Sequence, residues 1–298
     1  MNIYILTLII IILICIIIYY NTNQKVNKDI YIDRSEQTII PKKIWTYWHD
    51  DLLPDIIKRC IDNWKKLNPD YDIQILNNLN YKKYIKGCDI LSYPASRFHQ
   101  RVSDFMRIHV LNQHGGIWLD ASVILNESLD WVLKKYHEGK YEFIGYHIVS
   151  KETKPEYPVI ENWFMAAPIG SGFIRKWLEK FLESNNYHSD YDYLLSLETN
   201  GVDLQLISKS GYLCMHYAVQ YVLQKEMSIE DIKTRLYLEK AEDGPFKYLH
   251  DNNWDLKKSL LALCDNKDLR TKVVKFRNAE RKVIEDEKIF CIFNDIRK

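Results

Sequence analysis

A helix, a pair of glycines and a short apolar strand between residues 103 and 122 constrain the fold of this chain more than any other segment. Asp104 and Arg107 lie one helical turn apart and therefore on one face of the helix. Gly115-Gly116 ends the helix, and three apolar residues then lead to Asp120. A carboxylate beyond the carboxyl end of a buried strand lies where an open α/β sheet binds its ligands. The segment therefore predicts a binding site at a sheet edge.

Hydrophobic periodicity predicts that strands and helices alternate from Pro41 onward. Since side chains alternate along a strand, Asp120 and Ser122 are expected to share one face of a strand that spans residues 117–125. The alternation favours an α/β fold with an open sheet and a helical C-terminal extension, in one domain over residues 41–298. Strands are predicted over residues 44–48, 71–76, 117–125, 143–149 and 163–167, and helices over residues 54–67, 80–86, 95–114, 171–182 and 204–224.

The first 22 residues predict a membrane anchor. Residues 3–20 carry no charge and are almost wholly aliphatic, which is the short end of the length needed to span a bilayer. A cleaved signal peptide is the weaker interpretation, because no basic residue precedes the apolar run and no small-residue cleavage site follows it. Residues 23–40 are polar and predict a short stem. The protein is thus expected at a membrane, attached by a single N-terminal helix.

Charge and cysteine usage narrow the possible function classes. The chain has 41 basic and 40 acidic residues and a net charge of +1, which gives no reason to expect the basic face that nucleic-acid binding needs. Five cysteines follow the predicted anchor at wide spacings and form no paired metal-type motif, so reduced thiols are expected.

Four sequence motifs together resemble a known enzyme family. They are Ser103-Asp104-x-x-Arg107, Gly115-Gly116-x-Trp118-x-Asp120, residues 40–48 (IPKKIWTYW) and residues 161–167 (ENWFMAA). The pattern resembles the retaining glycosyltransferases of the Asp-x-Asp sugar-binding family and is most similar to their capsular polysaccharide synthesis branch. The similarity extends from Pro41 to about Pro168 and is weak beyond. One position departs from the pattern: Ser122 replaces the second acid, and a neutral hydroxyl is a poor ligand for a hard dication.

The resemblance implies a nucleotide-binding sheet of the GT-A type. The implied reaction moves a hexose from a nucleotide-diphosphate sugar to a glycan or other hydroxyl acceptor, with retention of configuration and with Mn²⁺ or Mg²⁺ as cofactor. The candidate catalytic residues are Asp120, Asp104 and Arg107. The candidate donor-binding residues are Thr46, Tyr47, Trp48, Asp104, Arg107, Gly116, Asn162, Trp163 and Lys247, and the candidate metal ligands are Asp120, Ser122 and His250.

Each assignment has a structural alternative that the residues alone leave open. Asp104 and Arg107 also fit an ordinary intrahelical salt bridge worth about 0.3–0.5 kcal/mol, and Asp120 also fits a strand-end cap. Aromatic residues at the end of a first strand are more often core residues than ligand contacts. Lys247 and His250 lie in a loop where exposed polar side chains are equally expected.

Two rival functions and the membrane orientation also stay open. The rivals are a non-catalytic membrane-tethered carbohydrate-binding protein and a phosphosugar transferase of capsule or wall assembly. Lys25, Lys28 and Arg34 follow the predicted anchor and favour a cytosolic catalytic side, whereas glycosyltransferases of the secretory pathway face the lumen. No side of the membrane is therefore assigned.

Overall fold

A computed structural model of the protein describes residues 39–149, 154–204, 207–208 and 210–293. The predicted anchor over residues 1–22, and nearly all of the predicted stem over residues 23–40, lie outside the described residues. Within those ranges, no helix combines the length and the apolar character that a bilayer crossing requires.

A six-stranded mixed sheet forms the centre of the protein. Its strand order is β2-β1-β3-β6-β5-β7, in which β2, β1 and β3 are parallel, β6 is antiparallel to both its neighbours, and β7 is parallel to β5. A separate antiparallel pair joins β4 to β8. The predicted α/β class is therefore confirmed. The strands are β1 Lys43–Tyr47, β2 Asp72–Leu76, β3 Gly116–Leu119, β4 Val123–Leu125, β5 Phe143–Ile148, β6 Val159–Ala167, β7 Leu236–Lys240 and β8 Val273–Lys275.

Helices pack around the sheets. The α-helices are α1 Asp55–Leu67, α2 His99–His114, α3 Asp130–Gly139, α4 Gly172–Leu182, α5 Asp190–Thr199, α6 Cys214–Tyr221, α7 Ile229–Arg235, α8 Lys247–His250, α9 Leu256–Asp265 and α10 Asn278–Asp286. Shorter turns of 3₁₀-helix cover Tyr81–Lys83, Ile90–Ser92, Pro94–Arg97, Glu183–Asn186, Gly211–Leu213, Lys267–Leu269 and Phe290–Phe293, and a π-helical turn covers Val222–Glu226.

The side-chain alternation of β3 divides the hydrophobic core into two layers. Trp118 points into one buried cluster together with Phe105 of α2. Ile117 and Leu119 point into the other, which also contains Trp64 of α1. All of these side chains are fully buried. Because β3 is covered on both faces, a charge can reach solvent only where the strand ends, and Asp120 is the next residue.

The predicted strand over residues 117–125 is wrong in one respect, because the chain leaves the main sheet at Asp120. β3 ends at Leu119, and the Val123 amide donates to the Asp120 oxygen at 3.1 Å in a tight turn. β4 then packs against α1, where the Trp64 indole N–H donates to the main-chain oxygen of Val123 at 2.8 Å. Asp120 and Ser122 therefore do not share the face of one strand.

Two predicted helices are shorter than their sequence patterns. The one over residues 80–86 is only the 3₁₀ turn Tyr81–Lys83, and the one over residues 204–224 becomes helical only at Gly211 and α-helical at Cys214. The expectation of reduced thiols is also wrong for one pair, because Cys264 and Cys291 form a disulfide. Cys60, Cys88 and Cys214 are free.

Gly116 is required by the close approach of β1 and β3. Its φ is +100°, and a Cβ there would lie 2.8 Å from the main-chain oxygen of Lys43. The space that a side chain at residue 116 would need is therefore occupied by the backbone of β1. Gly170 also has a positive φ, +76°, but nothing lies within 4 Å of where its Cβ would be.

We expect Gly116→Ala to destabilise the protein more than the matched control Gly170→Ala. The control adds only left-handed backbone strain, about 1–2 kcal/mol. Gly116→Ala adds a clash with a backbone oxygen that cannot rotate away, which costs roughly 1–3 kcal/mol more. Urea unfolding of both variants measures the difference. Equal losses of unfolding free energy would contradict the close packing of β1 on β3.

Candidate functional site

Arg107 is the buried centre of the candidate site. Its guanidinium donates to the main-chain oxygen of Asn162 at 2.9 Å, to Ser103 Oγ at 3.0 Å and to Asp120 Oδ1 at 3.2 Å. It also lies 3.4 Å from Asp104 Oδ1. Because a guanidinium holds its N–H groups in one plane, three hydrogen bonds and the ion pair with Asp104 fix both its position and its orientation. The simple salt bridge to Asp104 is therefore one contact among several.

Asp120 receives hydrogen bonds on both carboxylate oxygens. Oδ1 accepts from Arg107 and from the Trp118 indole N–H at 3.1 Å, and Oδ2 accepts from Lys275 Nζ at 2.9 Å. Burial opposes ionisation of this carboxyl, but the charges of Lys275 and Arg107 outweigh it and hold the pKa of Asp120 below its usual value. The Asp120 side chain is 25% exposed, whereas those of its two cationic partners are below 10%. The carboxylate is thus the member of the group that faces the open side.

Lys275 joins Asp120 to Ser122. Its Nζ lies 3.0 Å from Ser122 Oγ, and Ser122 Oγ donates in turn to the Phe276 oxygen at 2.7 Å. Burial lowers the pKa of Lys275, and the contact with Asp120 opposes that effect. We assign the pair as ionised because each charge meets its counter-charge at hydrogen-bond distance. The two predicted metal ligands therefore do converge, although a lysine ammonium lies between them.

The predicted metal site does not fit this arrangement. Asp120 Oδ2 and Ser122 Oγ both accept hydrogen bonds from Lys275. The third predicted ligand, His250, is an exposed residue of α8 whose Nδ1 lies 3.3 Å from Asp251 Oδ1. Among the residues that the structure describes, no three His, Cys, Asp or Glu side chains gather as metal ligands. An ammonium beside the would-be ligands repels a dication.

Asp104 and Asn162 form the wall of the site on the side of α2. Asn162 Nδ2 donates to Asp104 Oδ1 at 3.2 Å, and this is the same oxygen that faces Arg107. Among the described residues, Oδ2 of Asp104 has no hydrogen-bond partner. Burial raises the pKa of Asp104 to about 6, although the charges of Arg107 and Arg101 oppose the shift. A buried carboxyl with one free oxygen can accept a ligand hydroxyl.

The other predicted donor-binding residues lie in three different settings. Thr46 is fully buried, and its hydroxyl has no hydrogen-bond partner among the residues that the structure describes. Tyr47 donates to Asn78 Oδ1 at 2.7 Å, and Trp48 is half-buried under the guanidinium of Arg281, 5.6 Å from its ring centre. Trp163 is buried and stacks on Tyr146 at 5.2 Å.

The described contacts of Lys247 and Gly116 are with residues outside the cluster around Arg107. The described ion pair of Lys247 is with Asp251, its neighbour on the next turn. Gly116 faces β1. The structure therefore brings together five of the predicted residues, which are Asp104, Arg107, Asp120, Ser122 and Asn162.

Three residues of the site were not predicted. Lys275 is a charged residue at the end of the apolar strand β8, and Asp120 was identified by the same kind of signal after the apolar strand β3. Glu161 precedes Asn162 on β6, and burial raises its pKa to about 7. Arg101 lies buried on α2, where it pairs with Asp190 at 2.8 Å.

The chain was compared with known proteins. The family model described as capsular polysaccharide synthesis protein matches residues 17–262. The O-glycosyltransferase braB of Annulohypoxylon truncatum is 31% identical over 159 residues, which are 47% of this chain and 37% of that protein. Inositol phosphoceramide mannosyltransferase 3 of Schizosaccharomyces pombe is 30% identical over 115 residues, 36% of this chain and 30% of its own. The matched part of this chain thus spans less than two-fifths of either relative.

Among solved structures, one titled PaToxG Glycosyltransferase aligns with 93% of this chain and 95% of its own, at 16% identity and a TM-score of 0.42. That superposition is too loose to carry an argument about the site. The family match, in contrast, covers well over half of the sequence and includes every residue of the predicted cluster around Arg107. On that match, the chain belongs to the capsular polysaccharide synthesis protein family.

Proposed function

We propose that this protein is a glycosyltransferase that moves a hexose from a nucleotide-diphosphate sugar to a glycan or other hydroxyl acceptor, with retention of configuration. The family and the names of the curated relatives support the reaction class. We further propose that the sheet is of the GT-A type and that residues 1–22 anchor the protein in a membrane. No side of the membrane is assigned.

The observation that carries the proposal is the arrangement of charge around Asp120. A partly exposed carboxylate beyond the end of β3 is held by two buried cations, and the buried carboxyl of Asp104 adjoins the same guanidinium. Sugar hydroxyls are recognised by charged oxygens in fixed positions. Because three hydrogen bonds and the ion pair with Asp104 already hold Arg107, its charge needs no reorganisation when a donor binds or when charge develops.

The proposed reaction follows from this pre-organised charge. The bond from the anomeric carbon to the leaving phosphate oxygen lengthens, and the sugar gains oxocarbenium character. The acceptor oxygen then bonds to the anomeric carbon on the same face, and its proton passes to the departing diphosphate. Asp120, the carboxylate at the centre of the site, already accepts hydrogen bonds on both oxygens, from Arg107, Trp118 and Lys275, which makes it a poor covalent nucleophile. Front-face attack is therefore the route that we propose.

We expect Asp120→Asn to lower donor turnover by at least about 100-fold, the scale of losing one pre-organised charged contact. Asp130→Asn is the matched control, because Asp130 is an exposed acid that contacts Tyr71 and Lys42 instead. Both variants are assayed with a panel of nucleotide-diphosphate sugars by release of nucleoside diphosphate, per folded molecule, since Asp120→Asn also removes the counter-charge of two buried cations.

The same assay separates the rival functions. Release of nucleoside monophosphate would indicate phosphosugar transfer, and sugar binding without release of either nucleotide would indicate a binding protein. Unchanged turnover in Asp120→Asn would remove this carboxylate from the reaction.

We expect the stability of Glu161→Gln, relative to that of wild type, to increase as the pH rises. The pKa of Glu161 is raised to about 7 in the folded protein, against about 4.3 in an unfolded chain. The folded state therefore holds the proton more tightly, and wild-type stability falls as the pH passes from about 4.3 through about 7. The melting temperature of the variant minus that of wild type should increase between pH 5 and pH 8.

Glu138→Gln is the matched control for this pH series. The hydrogen bond from Lys135 holds the pKa of the exposed Glu138 below its usual value, so this carboxyl is ionised in both states across the same range. Its melting-temperature difference should stay level from pH 5 to pH 8. A level difference for Glu161→Gln as well would contradict the buried setting of Glu161.

A further inference from the structure

We propose that the ammonium of Lys275 takes the place of the divalent cation in this site and binds the diphosphate of the donor, so that donor binding requires no metal. This inference rests on the proposed glycosyltransferase function. It concerns which residue neutralises the charge of the leaving diphosphate. Neither the family match nor the predicted metal ligands give Lys275 that role.

The position of Lys275 is the first argument. Its Nζ lies 2.9 Å from Asp120 Oδ2 and 3.0 Å from Ser122 Oγ, the two oxygens that were predicted as metal ligands. Oxygen-bound Mg²⁺ and Ca²⁺ lie about 2.0–2.6 Å from their ligands. A cation at that distance from both oxygens would overlap the ammonium, so the two occupants exclude each other.

Lys275 is fixed in place by the fold. It ends β8, pairs with Val123 across the ladder to β4, and its main-chain oxygen accepts from the Tyr248 hydroxyl at 2.9 Å. The residue is 7% exposed and its neighbours in the strand are buried valines. The strand fixes the Lys275 backbone on this side of Asp120, and burial together with the contacts to Asp120 and Ser122 holds the ammonium in the site.

Within the part of the chain that the structure describes, the hydrogen bonds of the Lys275 ammonium leave one of its N–H groups for a ligand. A lysine ammonium has three donors, and two of them serve Asp120 and Ser122. Arg281 is a second cation in this part of the protein, and its charge contributes to lowering the pKa of Lys275. Arg281 lies over the ring of Trp48, and its buried Nε has no hydrogen-bond partner among the described residues. Two cations with spare donors suit a diphosphate, which carries charge on several oxygens.

The contact with Lys275 explains why a serine, rather than a second acid, suits position 122. A second carboxylate at that position would compete for the same ammonium, whereas a hydroxyl accepts from Lys275 and donates to the Phe276 oxygen at 2.7 Å. The hydroxyl of Ser122 and the ammonium of Lys275 are thus chemically complementary at one place. Lys275 lies beyond residue 262, where the family match ends, so its role is not inherited from that match.

The test is calorimetric titration of nucleoside diphosphates (UDP, GDP, ADP, CDP and TDP) into the full-length protein, in EDTA and in Mn²⁺. For wild type we expect the same dissociation constant in both buffers for the diphosphate that binds. Lys275→Met should weaken that binding roughly 10- to 100-fold, the scale of a charged hydrogen bond, and Lys275→Arg should recover part of it. The matched control Lys272→Met should bind like wild type, because Lys272 is a more exposed lysine that faces Glu239 and Trp131 instead.

A double variant makes the exchange of lysine for metal explicit. Lys275→Met combined with Ser122→Asp removes the ammonium and restores the two-acid pattern, so diphosphate binding should return only when Mn²⁺ is present. Ser122→Asp alone should leave binding independent of Mn²⁺. Melting temperatures of all variants are measured first, and if Lys275→Met does not fold, the wild-type titrations and Lys275→Arg decide.

The outcomes separate this inference from the proposed function. Wild-type binding and turnover that disappear in EDTA and return with Mn²⁺ would overturn the role of Lys275 while leaving the glycosyltransferase intact. Unchanged binding in a folded Lys275→Met variant would also overturn it. No binding of any nucleoside diphosphate, together with no turnover of any nucleotide sugar, would overturn both proposals.

Discussion

The pairing of Asp120 with two buried cations is the interaction on which the rest of the site depends. An isolated carboxylate at the end of an apolar strand would be costly to bury, and Arg107 and Lys275 remove that cost from opposite sides. The two cations depend on Asp120 in turn because each is almost completely buried, and Lys275 depends on it more than Arg107, which also pairs with Asp104. This mutual dependence means that the charges were arranged by folding before any ligand arrives, which is the condition for electrostatic catalysis.

The central sheet explains why these charges meet. Gly116 lets β3 lie close against β1, the alternation of side chains along β3 commits its apolar residues to two cores, and Asp120 is the first position free of both. α2 returns against the same strand and delivers Arg107. The small β4–β8 sheet then brings Lys275 to the turn that follows Asp120. Each of the three ionic groups is therefore positioned by backbone pairing or by helix packing, rather than by its own side-chain flexibility.

The part of the site that could be predicted is the part in which sequence neighbours are also spatial neighbours. Asp104, Arg107 and Asp120 fall within 17 residues of one another, so helix periodicity and the glycine pair were enough to place them together. The prediction that Asp120 and Ser122 share one strand face was wrong because the predicted strand ran through a turn, which the contact of α1 with β4 reveals only in three dimensions. Lys275 could not be placed, because its partner is 155 residues away in the sequence and no local pattern encodes such a pairing. Lys247 and His250 were chosen for their chemistry alone, and the structure places both in α8, where each contacts Asp251.

The pairing of β8 with β4 has a consequence for how the protein becomes active during its synthesis. Asp120 and Arg107 leave the ribosome together, but Lys275 follows 155 residues later, which corresponds to roughly 10–30 s of translation. It lies inside the 27-residue interval that the Cys264–Cys291 disulfide closes, so the segment that carries it becomes covalently secured only after Cys291 has also emerged. Until then the nascent domain can build its main sheet but holds an incompletely neutralised carboxylate. The cluster of Asp120, Arg107 and Lys275 is thus complete only after the last of these residues has been synthesised and β8 has paired with β4.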